Sequence, residues 1–452
     1  MRNRRPSLPC GSRKGLRARW IVGAALCLSA SWAHARARNL VIATVENAQM
    51  LQMQQLTPVF EKAHPDIRVI WVTLPEGTLR RDVATDITTA GEQFDIVTIG
   101  LYETPLWARH GWLRPIRPDA SYDTADLLAP IRAGLSYRGV MYAVPFYGES
   151  SILMYRTDLL RQAGLRMPAQ PTWSQVADFA ARLNDPRQGV YGICLRAKPG
   201  WGENMSLVTT MVNAFGGQWF DMQWQPQLLG RPWRQAVGLY VDLLRKYGPP
   251  DPTTRNYNGN LRLFEQGHCA MWVDASVAAG SISNPRLSKV AGEVGYAPAP
   301  VEVTAKGSHW LWAWALAIPA DIGAGQAAAA RTFVEWATSR AYVRLVAQRF
   351  GWGLVPSGTR KSTYANPRFQ AAAPWARREL QAIESADPRD ATLPASPYTG
   401  VQIVEIPEFP RIGDLVGRQI SLAVRGRIRV AQALAAAQAA TQREMLLGGD
   451  PD

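Results

Sequence analysis

Three apolar, β-branched runs near the start of the chain constrain its fold most strongly. They are Leu40–Val45, Ile67–Val72 and Asp95–Ile99, and helical patterns over about 50–60 and 76–91 separate them. Continuous apolar runs are typical of strands buried on both faces of a parallel sheet. Strands that alternate with helices predict an α/β fold built on a doubly wound sheet, with the carboxyl ends of the strands at one edge.

Polar and aromatic residues follow two of these strands. Glu46 and Asn47 come directly after the first strand, and Tyr102 and Glu103 come after the third. Ligands of open α/β sheets bind outside the carboxyl ends of the strands, so these residues are candidate ligand contacts. The alternative is that each is an ordinary exposed loop residue.

The stretch Tyr142–Tyr155 is apolar at both ends and interrupted in the middle. Pro145 cannot donate to a sheet ladder, and Gly148 allows a bend and the close approach of a ligand. Tyr147 and Glu149 place an aromatic ring beside a carboxylate, which suits a polyhydroxylated ligand with C–H faces and hydroxyl edges. The alternative is a kinked strand with a solvent-facing acid.

The combination of an aromatic ring with a carboxylate recurs once more, and a group of tryptophans follows later in the chain. A Gly/Pro-rich loop carries Trp201, Glu203 and Asn204. Further on, Trp310, Trp312 and Trp314 alternate with small residues, which is the periodicity of a strand with one bulky face. That face is expected to fill the core at Trp314, whereas Trp310 and Trp312 either do the same or project from the loop end into a cleft.

The first 35 residues have the order of a secretory signal peptide. Residues 1–20 carry seven Lys/Arg and no acid, Ile21–Ala30 is apolar, and an Ala-x-Ala ending stops at Ala35. The apolar part is too short to span a bilayer. We therefore expect export to the periplasm with cleavage near Ala35.

Removing this leader changes the formal charge from +14 to +14 − 7 = +7 for residues 36–452. The remaining basic residues are scattered, whereas nucleic-acid binding favours a concentrated stripe. His64, His110, His268 and His309 lack metal-ligand spacing. We expect no nucleic-acid partner, no metal and no cofactor.

Two cysteines remain after the leader, Cys194 and Cys269, each in an apolar, strand-like run. An exported pair is compatible with a disulfide, and two buried free thiols fit equally well. The second run leads directly to an acid, Asp274.

Several motifs together resemble a known family. These are Phe60–Asp66, Gln93–Gly100, Pro145–Ser151 and Trp314–Pro319. The mature chain resembles an extracellular solute-binding protein of the carbohydrate class, the receptor of an ABC importer. Within that class it is most similar to the sorbitol/mannitol (polyol) receptors, on the stretches Tyr191–Met205, Trp219–Met222 and Ser308–Pro319.

The resemblance implies two α/β lobes joined by a hinge of crossing strands, each lobe a doubly wound sheet. Residues 36–147 with 300–358 are expected to form lobe 1, and 150–297 with 360–452 lobe 2. A sugar alcohol such as sorbitol or mannitol would bind in the cleft of a monomer and pass to the membrane permease. The residues expected to bind it are Glu46, Asn47, Tyr102, Glu103, Tyr147, Glu149, Trp201, Glu203, Asn204, Asp274, Trp310 and Trp312.

Two alternatives remain at this point. One is a receptor for a mono- or disaccharide. The other is an exported carbohydrate hydrolase, which needs two facing carboxylates, such as Glu149 with Glu103 or Asp274. No nucleophile elbow, phosphate loop or HExxH motif accompanies them, so we expect no enzyme activity.

Overall fold

The computed structural model describes residues 37–448, so the expected signal peptide lies outside the described residues. The strands are β1 Arg38–Val45, β2 Ile67–Leu74, β3 Ile96–Ile99, β4 Ser136–Tyr137, β5 Val140–Met141, β6 Ala143–Glu149, β7 Ser151–Arg156, β8 Met271–Ala275, β9 Val294–Pro298 and β10 Trp312–Ala317.

The helices surround these strands and include several of a single turn or two. They are α1 Ala48–Ala63, α2 Glu76–Thr89, α3 Glu103–Arg109, α4 Ala129–Gly134, α5 Thr157–Gln162, α6 Trp173–Leu183, α7 Asn204–Ala214, α8 Arg231–Tyr247, α9 Tyr257–Glu265, α10 Ala278–Ile282, α11 Ala324–Ala337, α12 Arg340–Phe350, α13 Lys361–Tyr364, α14 Pro367–Ala372, α15 Ala376–Ser385, α16 Phe409–Val424 and α17 Val430–Gly448. Across residues 37–448, none is long and apolar enough to cross a membrane.

The first sheet has five strands in the order β2-β1-β3-β10-β6. Strand β1 pairs in parallel with β2 and β3, as the opening pattern predicts, while β10 runs antiparallel to β3 and β6. Because β2 and β3 lie on opposite sides of β1, right-handed crossovers place α1 and α2 on opposite faces. The antiparallel return of β10 brings a late segment of the chain into the middle of this sheet.

The second sheet is smaller than the doubly wound sheet expected for it. Its three strands, in the order β8-β7-β9, pair antiparallel. The predicted strand over 189–195 contributes only isolated bridges, including Cys194 to Trp272. A Cβ at Gly192 would stand 2.1 Å from the Ala180 carbonyl oxygen, so this segment is packed closely against α6 while it bridges to the β8 region. Cys194 and Cys269 form a disulfide with their Cα atoms 5.8 Å apart.

The two sheets are joined where β6 passes directly into β7. The chain leaves the first sheet at Glu149 and enters the second at Ser151, so only Ser150 lies between them. The Ser150 hydroxyl donates to the Trp310 carbonyl at 2.7 Å, which ties this crossing to the segment that leads into β10. The end of β6 is therefore fixed at the junction between the sheets.

A third segment presses against this junction. A Cβ at Gly148 would lie 2.2 Å from the Gly358 carbonyl oxygen, and Gly358 itself has a φ of +74°. The close approach that Gly148 permits is thus to another part of the backbone, rather than to a ligand. Gly358 also needs a left-handed conformation that residues with a Cβ adopt at a cost.

Candidate functional site

A cavity lies at the junction of the two sheets, and side chains from both sheet regions line it. The predicted ligand residues in its wall are Glu46, Asn47, Tyr147, Glu149, Trp201, Glu203, Trp310 and Trp312. The predicted residues Tyr102, Glu103, Asn204 and Asp274 lie outside this wall.

Glu149 ends β6 and stands opposite Trp312 of β10 in the sheet register. Its side chain is buried, and burial raises its pKa to about 8, against the lowering effect of Arg196 and with a smaller raising effect from Asp274. A carboxylate removed from water is costly unless hydrogen-bond donors surround it. Ligand hydroxyls are donors of the required kind.

Arg196 faces Glu149 from the second-sheet region, and sequence analysis missed it. Its guanidinium donates to both carboxylate oxygens of Asp274, with a shortest distance of 2.6 Å. Asp274 also accepts from the Trp272 Nε1 at 3.0 Å and from a backbone amide. The predicted contact Asp274 therefore holds a cavity-lining arginine in place.

The indole rings of Trp310, Trp312 and Trp314 all line the cavity. The expectation that Trp314 belongs only to the core is thus incomplete, because the bulky face of β10 is also a cavity wall. Trp312 and Trp314 pack edge to face with centroids 5.6 Å apart. The Trp310 Nε1 is buried without a hydrogen-bond partner among the described residues, so it is an available donor.

Asn47 is positioned as the N-cap of α1. Its Oδ1 accepts from the Met50 amide at 3.0 Å, and its Nδ2 donates to the Tyr147 hydroxyl at 2.9 Å. These two hydrogen bonds fix the end of β1, the start of α1 and the Tyr147 ring of β6 relative to one another. Glu46 beside it is exposed, and its carbonyl accepts from the Asn258 Nδ2 at 2.9 Å.

Arg80 of α2 is a second cavity residue that sequence analysis missed. It donates to Glu103 at 2.6 Å and to Glu76 at 2.9 Å. Its guanidinium carbon lies 4.0 Å from the centroid of the Trp201 ring. The available signal was the spacing of Glu76 and Arg80, which are four residues apart on one helix face.

Tyr102, Glu103 and Asn204 make contacts within the protein. The Tyr102 hydroxyl donates to the Ile406 carbonyl at 2.7 Å, and Glu103 accepts from Arg80. Asn204 is fully buried and bonds the backbone of Gly200 and Gly417. These three side chains position the cavity wall rather than form it.

Glu203 is a second buried acid in the wall. Burial, then the nearby Glu76, raises its pKa to about 7, while Arg196 and Lys198 act in the opposite direction. Lys198 lies 3.3 Å from its Oε1. Further polar and aromatic lining residues that sequence analysis did not single out are Ser206, Asn256, Tyr257, Asn258 and Gln402.

Within residues 37–448, no three His, Cys, Asp or Glu side chains are grouped so that they could hold a metal ion. The charged groups that line the cavity are carboxylates and two guanidinium groups. Carboxylates, amides and indole faces together can bind hydroxyl groups and cover the C–H surface of a carbohydrate.

Comparison with known proteins points to one family. The model of bacterial extracellular solute-binding proteins matches residues 44–344. A mannitol-binding protein of Pseudomonas aeruginosa is 53% identical over 429 residues, which cover 95% of this chain and 98% of the relative.

Two solved structures of ABC transporter solute-binding proteins are similar throughout. One, from Agrobacterium vitis S4 with bound D-mannitol, is 50% identical with a TM-score of 0.90, covering 91% of this chain and 99% of that one. The other, from Agrobacterium radiobacter K84 with ribitol, is 25% identical with a TM-score of 0.80, covering 91% and 100%. The predicted two-lobe binding-protein fold is confirmed.

Proposed function

Because the chain belongs to the bacterial extracellular solute-binding protein family, we propose that it is the receptor of an ABC importer for a linear sugar alcohol of the mannitol type. The observation that carries this proposal is the placement of the buried Glu149 beside three indole rings and Arg196. The identity to a mannitol-binding protein and to a mannitol-bound structure supports the choice of cargo.

The chemistry of the wall fits such a cargo. A hexitol carries a row of hydroxyls, each of which donates one hydrogen bond and accepts others. Glu149 and Glu203 supply acceptors, while Arg196 and the free Nε1 of Trp310 supply donors. Hydrogen bonds to charged groups are stronger than neutral ones, and the indole faces cover the C–H groups between the hydroxyls.

Lobe 1 would comprise residues 36–147 with 300–358, and lobe 2 residues 150–297 with 360–452. The contacts of Tyr102 with Ile406 and of Asn258 with Glu46 would then link the lobes in a closed state. A ligand shifts an open–closed equilibrium only as far as it prefers the closed state. Hydroxyls that bond groups from both lobes supply that preference.

The role of an ABC-importer receptor also implies a location, an oligomeric state and a partner. The receptor acts in the periplasm as a monomer after removal of residues 1–35, and it delivers its cargo to the membrane permease. It uses no cofactor and no nucleic-acid partner. Of the predicted site, Glu46, Asn47, Tyr147, Glu149, Trp201, Glu203, Trp310 and Trp312 are proposed to touch the ligand.

We also propose that the protein is not a hydrolase. The two acids that the sequence offers as partners of Glu149 are already committed, because Glu103 binds Arg80 and both carboxylate oxygens of Asp274 bind Arg196. Glycoside hydrolysis needs a second carboxylate that is free to act as nucleophile or base.

Titration calorimetry of the mature protein tests this function. We expect D-mannitol or a related hexitol to give saturable heat, and chromatography to recover it chemically unchanged. Ribitol, D-arabitol, glucose and maltose serve as competitors. Heat from maltose alone would favour the disaccharide alternative, and consumption of any carbohydrate would overturn the receptor assignment.

A further inference from the structure

A second, larger cavity lies directly behind one wall of the first. It is a groove of about 610 Å³ between α2, α3, the loop before α7 and α16, whereas the inner cavity measures about 80 Å³. Both are lined by the same short set of residues, namely Pro75, Glu76, Arg80, Trp201, Gly202 and Glu203. This set is a partition with one cavity on each side.

Arg80 is the centre of the partition. Its guanidinium carbon lies 4.0 Å from the Trp201 ring centroid, 4.8 Å from that of Trp312 and 4.7 Å from that of Trp314. Ion pairs with Glu76 and Glu103 hold it there. Cation–π contacts and ion pairs with the buried Glu103 and the half-buried Glu76 make this a well-fixed side chain rather than a mobile surface arginine.

The partition is closely packed where the loop before α7 meets α2. A Cβ on Gly202 would lie 2.5 Å from the Glu76 Oε1 and 3.2 Å from the Arg80 Nε. No side chain larger than hydrogen fits at Gly202 without displacing these groups. The shared residues are therefore closely packed between the inner cavity and the groove, and Arg80 is the larger of the two α2 side chains among them.

The outer groove is lined by both aromatic and charged side chains. Tyr102, Trp107 and Trp112 contribute aromatic surface, and Lys198 and Asp414 contribute polar groups. Sugar rings bind to such surfaces through their C–H faces and hydroxyl edges. The buried Glu203 Oε2, which has no hydrogen-bond partner among the described residues, lies in the partition beside it.

We propose that Arg80 determines the length of ligand that the receptor accepts. The partition confines the ligand to the inner cavity, and removal of the Arg80 side chain joins that cavity to the groove. The combined space then takes a polyol that carries one additional sugar ring on a terminal hydroxyl. This proposal rests on the proposed function and assigns its size limit to one residue.

Calorimetry with two ligands tests the proposal, D-mannitol and glucosyl-mannitol, in which a terminal hydroxyl carries a glucosyl group. Wild type is expected to bind only D-mannitol. Arg80→Ala is expected to bind glucosyl-mannitol with an affinity within about tenfold of its own affinity for D-mannitol. Arg80→Met, which keeps the volume and removes the charge, is expected to exclude glucosyl-mannitol as wild type does.

Arg81→Ala is the matched control, because this neighbour on α2 lines only the outer groove and bonds its own helix. It should bind D-mannitol as wild type does and exclude glucosyl-mannitol. Trp201→Ala opens the same partition from the opposite side and provides the test if Arg80→Ala does not fold. Because this variant also loses a proposed ligand contact, its result is the ratio of its affinities for glucosyl-mannitol and D-mannitol compared with that of wild type. Circular dichroism melting curves establish which variants are folded.

Two results would overturn the size limit: binding of glucosyl-mannitol by wild type, or its exclusion by a folded, opened variant that still binds D-mannitol. A gain of glucosyl-mannitol binding by Arg80→Met would equally overturn it, because charge rather than volume would then be decisive. Failure of wild type to bind any hexitol is a different outcome, which removes the proposed function itself.

Discussion

The two sides of the cavity hold buried acids in opposite ways. On the second-sheet side, Asp274 is completely buried and receives Arg196, the Trp272 indole and a backbone amide. At the end of the first sheet, Glu149 is buried as well, but its pKa rises to about 8 because burial outweighs the attraction of Arg196. One acid is already compensated by the protein, and the other is suited to compensation by a ligand.

The strand registers explain this difference. Asp274 belongs to β8, where it lies opposite Ile152 and beside the segment that carries Arg196. Glu149 is the last residue of β6, opposite Trp312, at the point where the chain leaves the first sheet. The protein therefore keeps Arg196 as a fixed part of the wall and presents Glu149 to the cavity. Substitutions of Asp274 and of Glu149 therefore change one side of the cavity at a time.

Removing the charge of Asp274 should have the largest effect. Asp274→Asn leaves Arg196 buried without its counter-ion, and we expect the free energy of unfolding to fall by about 3–5 kcal/mol. Urea denaturation measures this loss. Asp242→Asn removes an exposed partner of Lys246 and should change stability by less than about 1 kcal/mol. Equal effects of the two substitutions would mean that Asp274 does not compensate a buried charge.

Removing the disulfide, which lies on the same side of the cavity, should lower the free energy of unfolding by a smaller amount. Replacing both Cys194 and Cys269 by Ala frees a loop closed over 75 positions, and we expect a loss of about 2–4 kcal/mol. Chemical denaturation of the variant, compared with wild type with and without reductant, measures it. A variant as stable as wild type would show that the link between the 191–194 segment and β8 is unimportant for folding.

Glu149→Gln should affect ligand affinity more than folding. Ligand hydroxyls that donate to Glu149 favour its ionised form. A hydrogen bond to a charged group is worth about 1.5–3 kcal/mol, so we expect hexitol affinity to fall by about 10- to 100-fold. Glu384→Gln, on the exposed face of α15, is the matched control and should bind normally. Calorimetry compares the two, and unchanged affinity in Glu149→Gln would exclude a ligand contact at this acid.

The smallest expected effect is on the pH dependence of stability without ligand. The folded pKa of Glu149, about 8, lies above its ordinary value of 4.5, so the folded protein retains a proton that the unfolded chain has released. The stabilisation is complete below pH 4.5 and is lost as the pH rises through about 8. If the unliganded receptor opens as proposed, water reaches this carboxylate and reduces the pKa difference, so we expect a loss of about 1 kcal/mol for each pKa unit that remains.

The difference in melting temperature between wild type and Glu149→Gln at pH 5 and pH 8.5 isolates this effect from other titrating groups. Wild type should lose more stability than the variant over that interval. Parallel behaviour of the two proteins would show that Glu149 titrates normally.

Part of the site that the sequence predicts comes from strand ends, while Trp201 and Glu203 come from the Gly/Pro-rich loop before α7. Asn47 follows β1 and Glu149 ends β6, and both lie in the cavity wall because sheet topology places such positions at one edge. Trp310 and Trp312 were candidates from their alternation, yet the same pattern did not separate the cavity face from the core at Trp314. The alternation of large and small residues in a strand identifies its bulky face. It does not show whether that face meets the core or a cavity.

The two arginines of the wall were not predictable in this way. Arg80 has only a common four-residue spacing to Glu76 within a polar helix, and Arg196 follows a short, irregular segment without a local motif. Asp274, which is distant in sequence, fixes the position of Arg196, and Arg80 is held by the distant Glu103 in addition to its helix neighbour Glu76. Such pairs depend on tertiary packing, so the sequence shows the charges but not their partners.

A crystal structure of the mature protein with D-mannitol tests the central claim most directly. We predict that the hexitol lies between Glu149 and Trp201, with a hydroxyl within about 3 Å of a Glu149 carboxylate oxygen and its carbon chain against the indole rings. A hexitol bound elsewhere, or a Glu149 turned away from it, would contradict this account.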